Sequence, residues 1–251
     1  ERRPPTYVVE PTSTAASIRP QPNAIPAPVK PIRRPKWRLA RHDITDEIWR
    51  IDDGKSQGTA FVVGKAPNGD TLLVCCWLVV DGEGPYMLRG GGRGEFAEHG
   101  PVELVKKDRE HDLALLRCPP VKPFRAVPVN VWINGAKHQE VSVIGYGKGA
   151  FQERYAKLRG TTKRVGESLS HIKGETWVTD EFSQPGHSGS PVVDSHDRLI
   201  GVLYAGGPER DLVMPARHVR WLLRDAEFED LIGGTRPSDQ VSLPTTQTIE
   251  L

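Results

Sequence analysis

The sequence predicts an all-β protein of barrel architecture. Short apolar and β-branched runs recur between residues 48 and 215, with turn signals such as Pro67-Asn68-Gly69-Asp70 between them. Only His218–Arg224 has apolar residues at helical spacing. At 251 residues, with 37% hydrophobic and 26% charged, the chain can fill a sizeable core while part of it lies outside.

Taken in order, Glu47–Ile51 reads as the opening strand. Gln57–Gly64 follows as small residues leading into a β-branched run, and Thr71–Val80 returns after the Asn68-Gly69 turn. Further strands fall at Tyr86–Arg89, Val102–Val105 and Leu113–Arg117. Pro119-Pro120 ends this half and starts a connection running to about Pro128. Val141–Gly147 opens a second strand-rich half. Thr176–Thr179, Leu199–Tyr204 and Val213–Ala216 continue it, and the His218–Arg224 helix closes it.

The flanks differ in kind. Residues 1–36 hold nine prolines and no apolar periodicity, a composition that cannot bury enough surface to offset chain entropy. Residues 1–42 carry nine Lys/Arg against two Glu, so the remainder is net negative although the whole chain is +2. The expected division is therefore a Pro-rich basic arm over 1–42, a folded domain over 43–228 split near 120–135, and a polar tail over 229–251. The cluster Ile32–Arg38 could meet an acidic partner or serve as a solvated linker. A net negative folded part makes nucleic acid an unfavourable partner. No run of 18 apolar residues occurs, so no transmembrane segment is expected, and no signal peptide is visible. The three cysteines, Cys75, Cys76 and Cys118, are odd in number and two are adjacent. They read as free thiols, which favours a reducing, cytoplasmic setting. No cofactor or metal is implied.

The chemistry concentrates in Gln184-Pro185-Gly186-His187-Ser188-Gly189-Ser190-Pro191. Glycines at 186 and 189 allow a turn whose N–H groups point inward as an anion-binding nest, with Ser188 beside them. That arrangement is what acyl transfer needs. The stretch resembles the nucleophile loop of trypsin-like serine peptidases, closest to the bacterial HtrA-like branch and its simpler relatives. The resemblance spans about residues 48–224. It implies two six-stranded antiparallel β-barrels of the chymotrypsin-like fold with a peptide substrate in the cleft between them. It also implies an oxyanion hole at Gly186, His187 and Ser188.

Asp112, at the head of Asp112-Leu113-Ala114-Leu115-Leu116, matches the family's acid motif. The run Cys75-Cys76-Trp77-Leu78-Val79-Val80 matches the segment that bears its histidine, with Leu78 at the histidine's position. The resemblance therefore implies a nucleophile, an acid and an oxyanion hole without a general base, and such a chain is impaired in turnover. His111 adjoins Asp112 but should face away from it, and so should His187 within its loop. His99, His171, His196 and His218 have no motif support. Two explanations remain open: a His→Leu change that inactivates an active protease, or a natural pseudoprotease that binds peptides. A nucleic-acid or membrane factor dominated by the arm is the remaining reading. The resemblance puts the primary specificity pocket near Phe182 and along Tyr204, Ala205, Gly206 and Gly207. Asp180 and Glu181 lie close by, and the expected pocket takes a small or apolar side chain. Tyr204–Gly207 could bind an extended peptide by strand addition.

Overall fold

The computed structural model describes residues 44–90, 98–121, 126–129, 134–163, 167–180, 183–206 and 210–232. The basic arm, Phe182, Glu181 and Gly207 lie outside the described residues, as does the chain from 233 onward.

Twelve strands form two closed antiparallel barrels. The first holds β1 (Ile48–Asp52), β2 (Gln57–Lys65), β3 (Thr71–Cys75), β4 (Tyr86–Arg89), β5 (Glu98–Asp108) and β6 (Leu113–Cys118), in the order β1-β2-β3-β6-β5-β4. The second holds β7 (Glu140–Gly147), β8 (Ala150–Thr162), β9 (Thr176–Thr179), β10 (Pro191–Val193), β11 (Leu199–Gly206) and β12 (Asp211–Pro215), in the order β10-β11-β12-β9-β8-β7. The expected pair of six-stranded barrels is therefore present. Full closure removes the exposed strand edges that would otherwise invite aggregation.

Burial explains why β2, β3 and β6 read so clearly in the sequence. They are buried on nearly every residue, with Phe61, Leu72, Leu73, Leu113, Leu115 and Leu116 fully enclosed. The sequence reading missed β8, whose run Ala150–Thr162 lies mostly half-exposed and carries Gln, Glu, Arg, Lys and Tyr rather than alternating apolar residues. Its continuous pairing with β7, from Glu140↔Lys157 to Gly147↔Ala150, holds it in place.

The expected strand Thr71–Val80 is shorter than predicted. It ends at Cys75, and Trp77–Val80 forms a turn of 3₁₀ helix. The backbone donors there are diverted from the ladder. Trp77 N–H donates to the Asp112 carbonyl (3.2 Å), Val79 N–H to the Cys76 carbonyl (3.3 Å) and Leu78 N–H to the Asp112 carboxylate (2.8 Å).

The helix α1 (Ala216–Asp225) buries Val219, Leu222 and Leu223 and touches both barrels, packing on β5, β6, β11 and β12. A 3₁₀ turn at Glu229–Ile232 follows. There Leu231 occupies the space beside Gly64 of β2, where a Cβ would stand 2.4 Å from its Cδ2. None of the described helices is long and apolar enough to cross a membrane.

Gly201 tests the tightness of the second barrel. A Cβ there would lie 2.2 Å from the Met214 carbonyl oxygen of the paired strand, and backbone cannot move aside as a flexible side chain can. Gly201→Ala is expected to cost about 1–3 kcal/mol in urea denaturation, the usual cost of overpacking. An unchanged midpoint would show that β11 and β12 are less closely apposed.

Candidate active site

The Ser188 loop lies against the first barrel through Thr59 of β2. Thr59 N–H donates to the Ser188 carbonyl (2.8 Å), and its hydroxyl donates to the Gly186 carbonyl (2.9 Å). The same hydroxyl accepts the Tyr146 N–H of β7 (2.9 Å). Gly189 (φ +91°) is required by this closeness, since a Cβ would stand 2.0 Å from the Thr59 carbonyl oxygen. Gly58 is also confined, between the Val79 methyls and the Ser188 carbonyl.

Two carbonyl bonds fix the direction of two N–H groups. The Pro185 carbonyl accepts Lys148 N–H (2.7 Å) from the β7–β8 turn, and the His187 carbonyl accepts Ser190 N–H (2.9 Å). In a trans peptide the N–H points opposite to the C=O. The N–H groups of Gly186 and Ser188 therefore point away from Lys148 and Ser190. Among the described residues neither makes a backbone hydrogen bond. Gly186 (φ +99°) is the third residue of a Gln184–His187 turn closed by His187 N–H to the Gln184 carbonyl (3.0 Å), and it follows Pro185 as a type II turn demands. Of the three expected oxyanion donors, His187 thus spends its N–H within the turn, and only Gly186 and Ser188 keep theirs available.

The His187 side chain faces away from Ser188, as expected. Its Nδ1 accepts Gln184 N–H (3.0 Å), so the ring proton sits on Nε2, which is buried against Gly147 without a partner. Burial lowers its pKa to about 4, so the ring is neutral at pH 7. The Ser188 hydroxyl makes only a long contact to the Tyr204 carbonyl (3.5 Å).

Asp112 is fully buried at φ +50°, just before β6. Its Oδ1 accepts Leu78 N–H, while Oδ2 is buried without a partner. Burial pushes the carboxyl up to about 7, against the pull of the Leu78 N–H, the nearby Cys76 thiol and the Trp77 N–H. The single thiol proton of Cys76 is directed at the Leu203 carbonyl (3.2 Å), which leaves Oδ2 without a donor. Residue 78 is thus joined to Asp112 through its backbone. Its side chain is 44% exposed rather than enclosed between Asp112 and Ser188.

No described histidine hydrogen-bonds to Ser188 or Asp112. His111 Nδ1 pairs with Asp108 Oδ2 (2.7 Å) and its ring stacks on His218 at 3.9 Å. His99 lies edge-on to Trp49, His171 to Trp77, and His196 bonds to Ser195. Cys75 and Cys76 are buried, with pKa values pushed well up by burial, which makes them poor nucleophiles. Among the described residues no His/Cys/Asp/Glu cluster could hold a metal ion.

Tyr204, Ala205 and Gly206 lie on β11. Asp180 faces away from them, accepting Lys157 N–H (2.7 Å) and pairing with Arg159 (2.8 Å). The carboxylate that does reach this wall is Asp211, which the sequence reading did not single out. It is fully buried opposite Gly206, and its Oδ1 accepts Ser183 N–H (2.9 Å) at the start of the serine loop. Thr59 and the Lys148 amide were also missed, because a threonine in a strand and a backbone donor in a turn carry no motif.

A family profile described as trypsin-like peptidase domain matches residues 58–202. Among solved structures, the Rv3671c protease of M. tuberculosis is similar in its inactive form (TM-score 0.60, 20% identity, 73% of this chain and 90% of that one). Its active form is similar to the same degree (TM-score 0.60, 20% identity, 77% and 84%). A serine endoprotease from Yersinia pestis also aligns (TM-score 0.58, 15% identity, 74% and 64%). Equal likeness to active and inactive forms makes the match one of fold.

The raised Asp112 pKa has a consequence for stability. The folded chain keeps a proton that the unfolded chain releases between about pH 4 and pH 7, so this contribution is present below about pH 4 and is lost as pH rises through 7. Asp112→Asn keeps an acceptor for Leu78 N–H and removes the charge. Chemical denaturation at pH 8 should find it more stable than the parent by about 2 kcal/mol, with the gap closing toward pH 4. His187 and His218, whose pKa values burial lowers, act in the opposite sense, but equally in both proteins. A gap independent of pH would contradict the buried, unpartnered carboxyl.

Proposed function

We propose that this chain, which belongs to the family of trypsin-like peptidase domains, carries a serine endopeptidase site in which Leu78 stands where the general base would be. Ser188 is the nucleophile of this reading, attacking a peptide carbonyl to form an acyl-enzyme. The N–H groups of Gly186 and Ser188 would receive the oxyanion. Asp112 is the acid that would orient a base. The observation that carries the reading is the pair of peptide planes beside Ser188, each held by its carbonyl so that the N–H is free for a ligand.

Leucine neither takes nor gives a proton. Without a base the serine hydroxyl is a weak nucleophile at neutral pH, and loss of one triad member removes on the order of 10⁴–10⁶ in turnover. The chain as it stands is therefore catalytically impaired. Ser188, Asp112, Gly186 and Gly189 together make most sense if the form with histidine at 78 is an active protease. The second reading, a peptide-binding pseudoprotease, is favoured by the preassembled donor pair, which needs no base to bind. In both, an extended peptide lies along Tyr204, Ala205 and Gly206, with a small or apolar side chain before the scissile bond.

Leu78→His is expected to produce a serine endopeptidase that cleaves members of a diverse peptide library and is labelled at Ser188 by a phosphonate. Ser188→Ala in that background should abolish both. If Leu78→His folds yet neither cleaves nor labels, the active-protease reading fails and the binding reading replaces it.

A further inference from the structure

The face of the first barrel that carries Thr59 holds three more polar side chains. β1 and β2 pair with Arg50 opposite Thr59 and Asp52 opposite Gln57. Residues two apart on a strand share a face, so all four side chains lie on the side that meets the serine loop. Asp52 Oδ2 accepts N–H bonds from both Nε and Nη2 of Arg50 (3.0 and 2.8 Å). The guanidinium is a rigid plane, so these two bonds also fix Nη1. Among the described residues Nη1 makes no hydrogen bond. It lies 3.5 Å from where a Cβ on Gly149 would stand, at the tip of the β7–β8 hairpin.

Gln57 fills the gap between this hairpin tip and the serine loop. Its Oε1 is 3.8 Å from the same point on Gly149, and its Nε2 is 3.6 Å from where a Cβ on Gly186 would stand. Lys148, the other residue of the tip, takes φ +51° and gives its N–H to the Pro185 carbonyl. Its side chain is exposed and forms no ion pair among the described residues. Asp52 does not cancel these charges outward. It is shared between Arg50 and Arg89 (3.4 Å), and its side chain is only 7% exposed. A local excess of positive charge thus stands beside Ser188 on a folded part that is net negative.

Ser188 has a different neighbour on each side. The Tyr204 carbonyl contacts its hydroxyl on one, and Gln57 and Gly58 border its loop on the other. With the acyl part of a peptide along Tyr204–Gly206, the part after the scissile bond has to cross Gln57, Gly149 and Lys148. We propose that Arg50 and Lys148 select acidic residues in that second part, an Asp or Glu side chain taking Arg50 Nη1 and the Lys148 ammonium across Gln57. The proposal rests on the endopeptidase reading for the direction of the peptide and not on turnover, since the selection acts at binding. Asp52 orients Arg50 before the peptide arrives, and a charge-assisted bond is about twice as strong as a neutral one. Both cations meet solvent, so the preference is modest and weakens with salt.

The test measures binding of the unmodified chain, by fluorescence anisotropy at low salt, to two C-terminally amidated decapeptide pools. Their first five positions are randomised over uncharged residues. The last five carry Glu in one pool and Gln at the same places in the other. The Glu pool should bind about fivefold more tightly. Lys148→Gln and Arg50→Gln, checked for folding by circular dichroism, should each lose most of that preference. Arg224→Gln, which removes an exposed cation on α1, should keep it. Equal binding of the two pools, or none, overturns the proposal, and so does a preference that survives in folded Lys148→Gln or is lost in Arg224→Gln. Where Leu78→His cleaves a peptide library, Asp and Glu should be enriched after the cut bond, and their absence there also overturns it. If Leu78→His neither cleaves nor labels while the preference still maps to Arg50 and Lys148, the endopeptidase reading falls and the acidic-peptide site stands.

Discussion

Thr59 is the contact on which the candidate site depends. Its N–H and hydroxyl reach two carbonyls of the serine loop, and the same hydroxyl accepts an N–H from β7. One side chain of the first barrel thereby sets the position of a loop and a strand of the second. The glycines follow from it. Gly189 admits the Thr59 carbonyl of the first barrel, Gly186 admits the Tyr146 carbonyl of β7 in its own barrel, and a side chain at either would displace the serine loop. With those carbonyls fixed, and with Pro185 and His187 held by Lys148 and Ser190, the remaining N–H groups have one direction left.

Asp112 is a buried carboxyl with a donor on one oxygen and none on the other. A buried carboxylate is tolerable when each oxygen has a donor. Here the backbone of residue 78 serves Oδ1, and its side chain can offer nothing to Oδ2. The carboxyl responds by holding its proton up to about pH 7. An imidazole at 78 would supply a donor from the next atoms along the same residue. The backbone of residue 78 already meets Asp112, and the leucine side chain adds no donor.

Legibility in the sequence followed burial and backbone demand. Strands sheltered on both faces, such as Thr71–Cys75 and Leu113–Cys118, read as apolar runs, and α1 read from its spacing. β8 did not, because a long hairpin held by pairing rather than by burial needs no apolar pattern. The serine loop was legible because glycine and proline are the only residues that satisfy its turns. Leu78 stood out as one residue inside an otherwise matching run, and in the structure its N–H meets Asp112. The end of that strand at Cys75 was not legible, since the Leu78 N–H that leaves the ladder there goes to Asp112, 34 residues away. Asp211 escaped notice for a related reason: its partner, Ser183, is 28 residues distant and joined through a backbone N–H.

Asp112 Oδ2 is buried with no donor. A ¹³C NMR titration of the Asp112 carboxyl tests this directly, in the unmodified chain and in Leu78→His. The expected midpoint is near 7 in the unmodified chain, and lower once an imidazole at 78 gives Oδ2 a donor. An ordinary carboxylate midpoint near 4 in the unmodified chain would contradict it, because Oδ2 would then already have a partner.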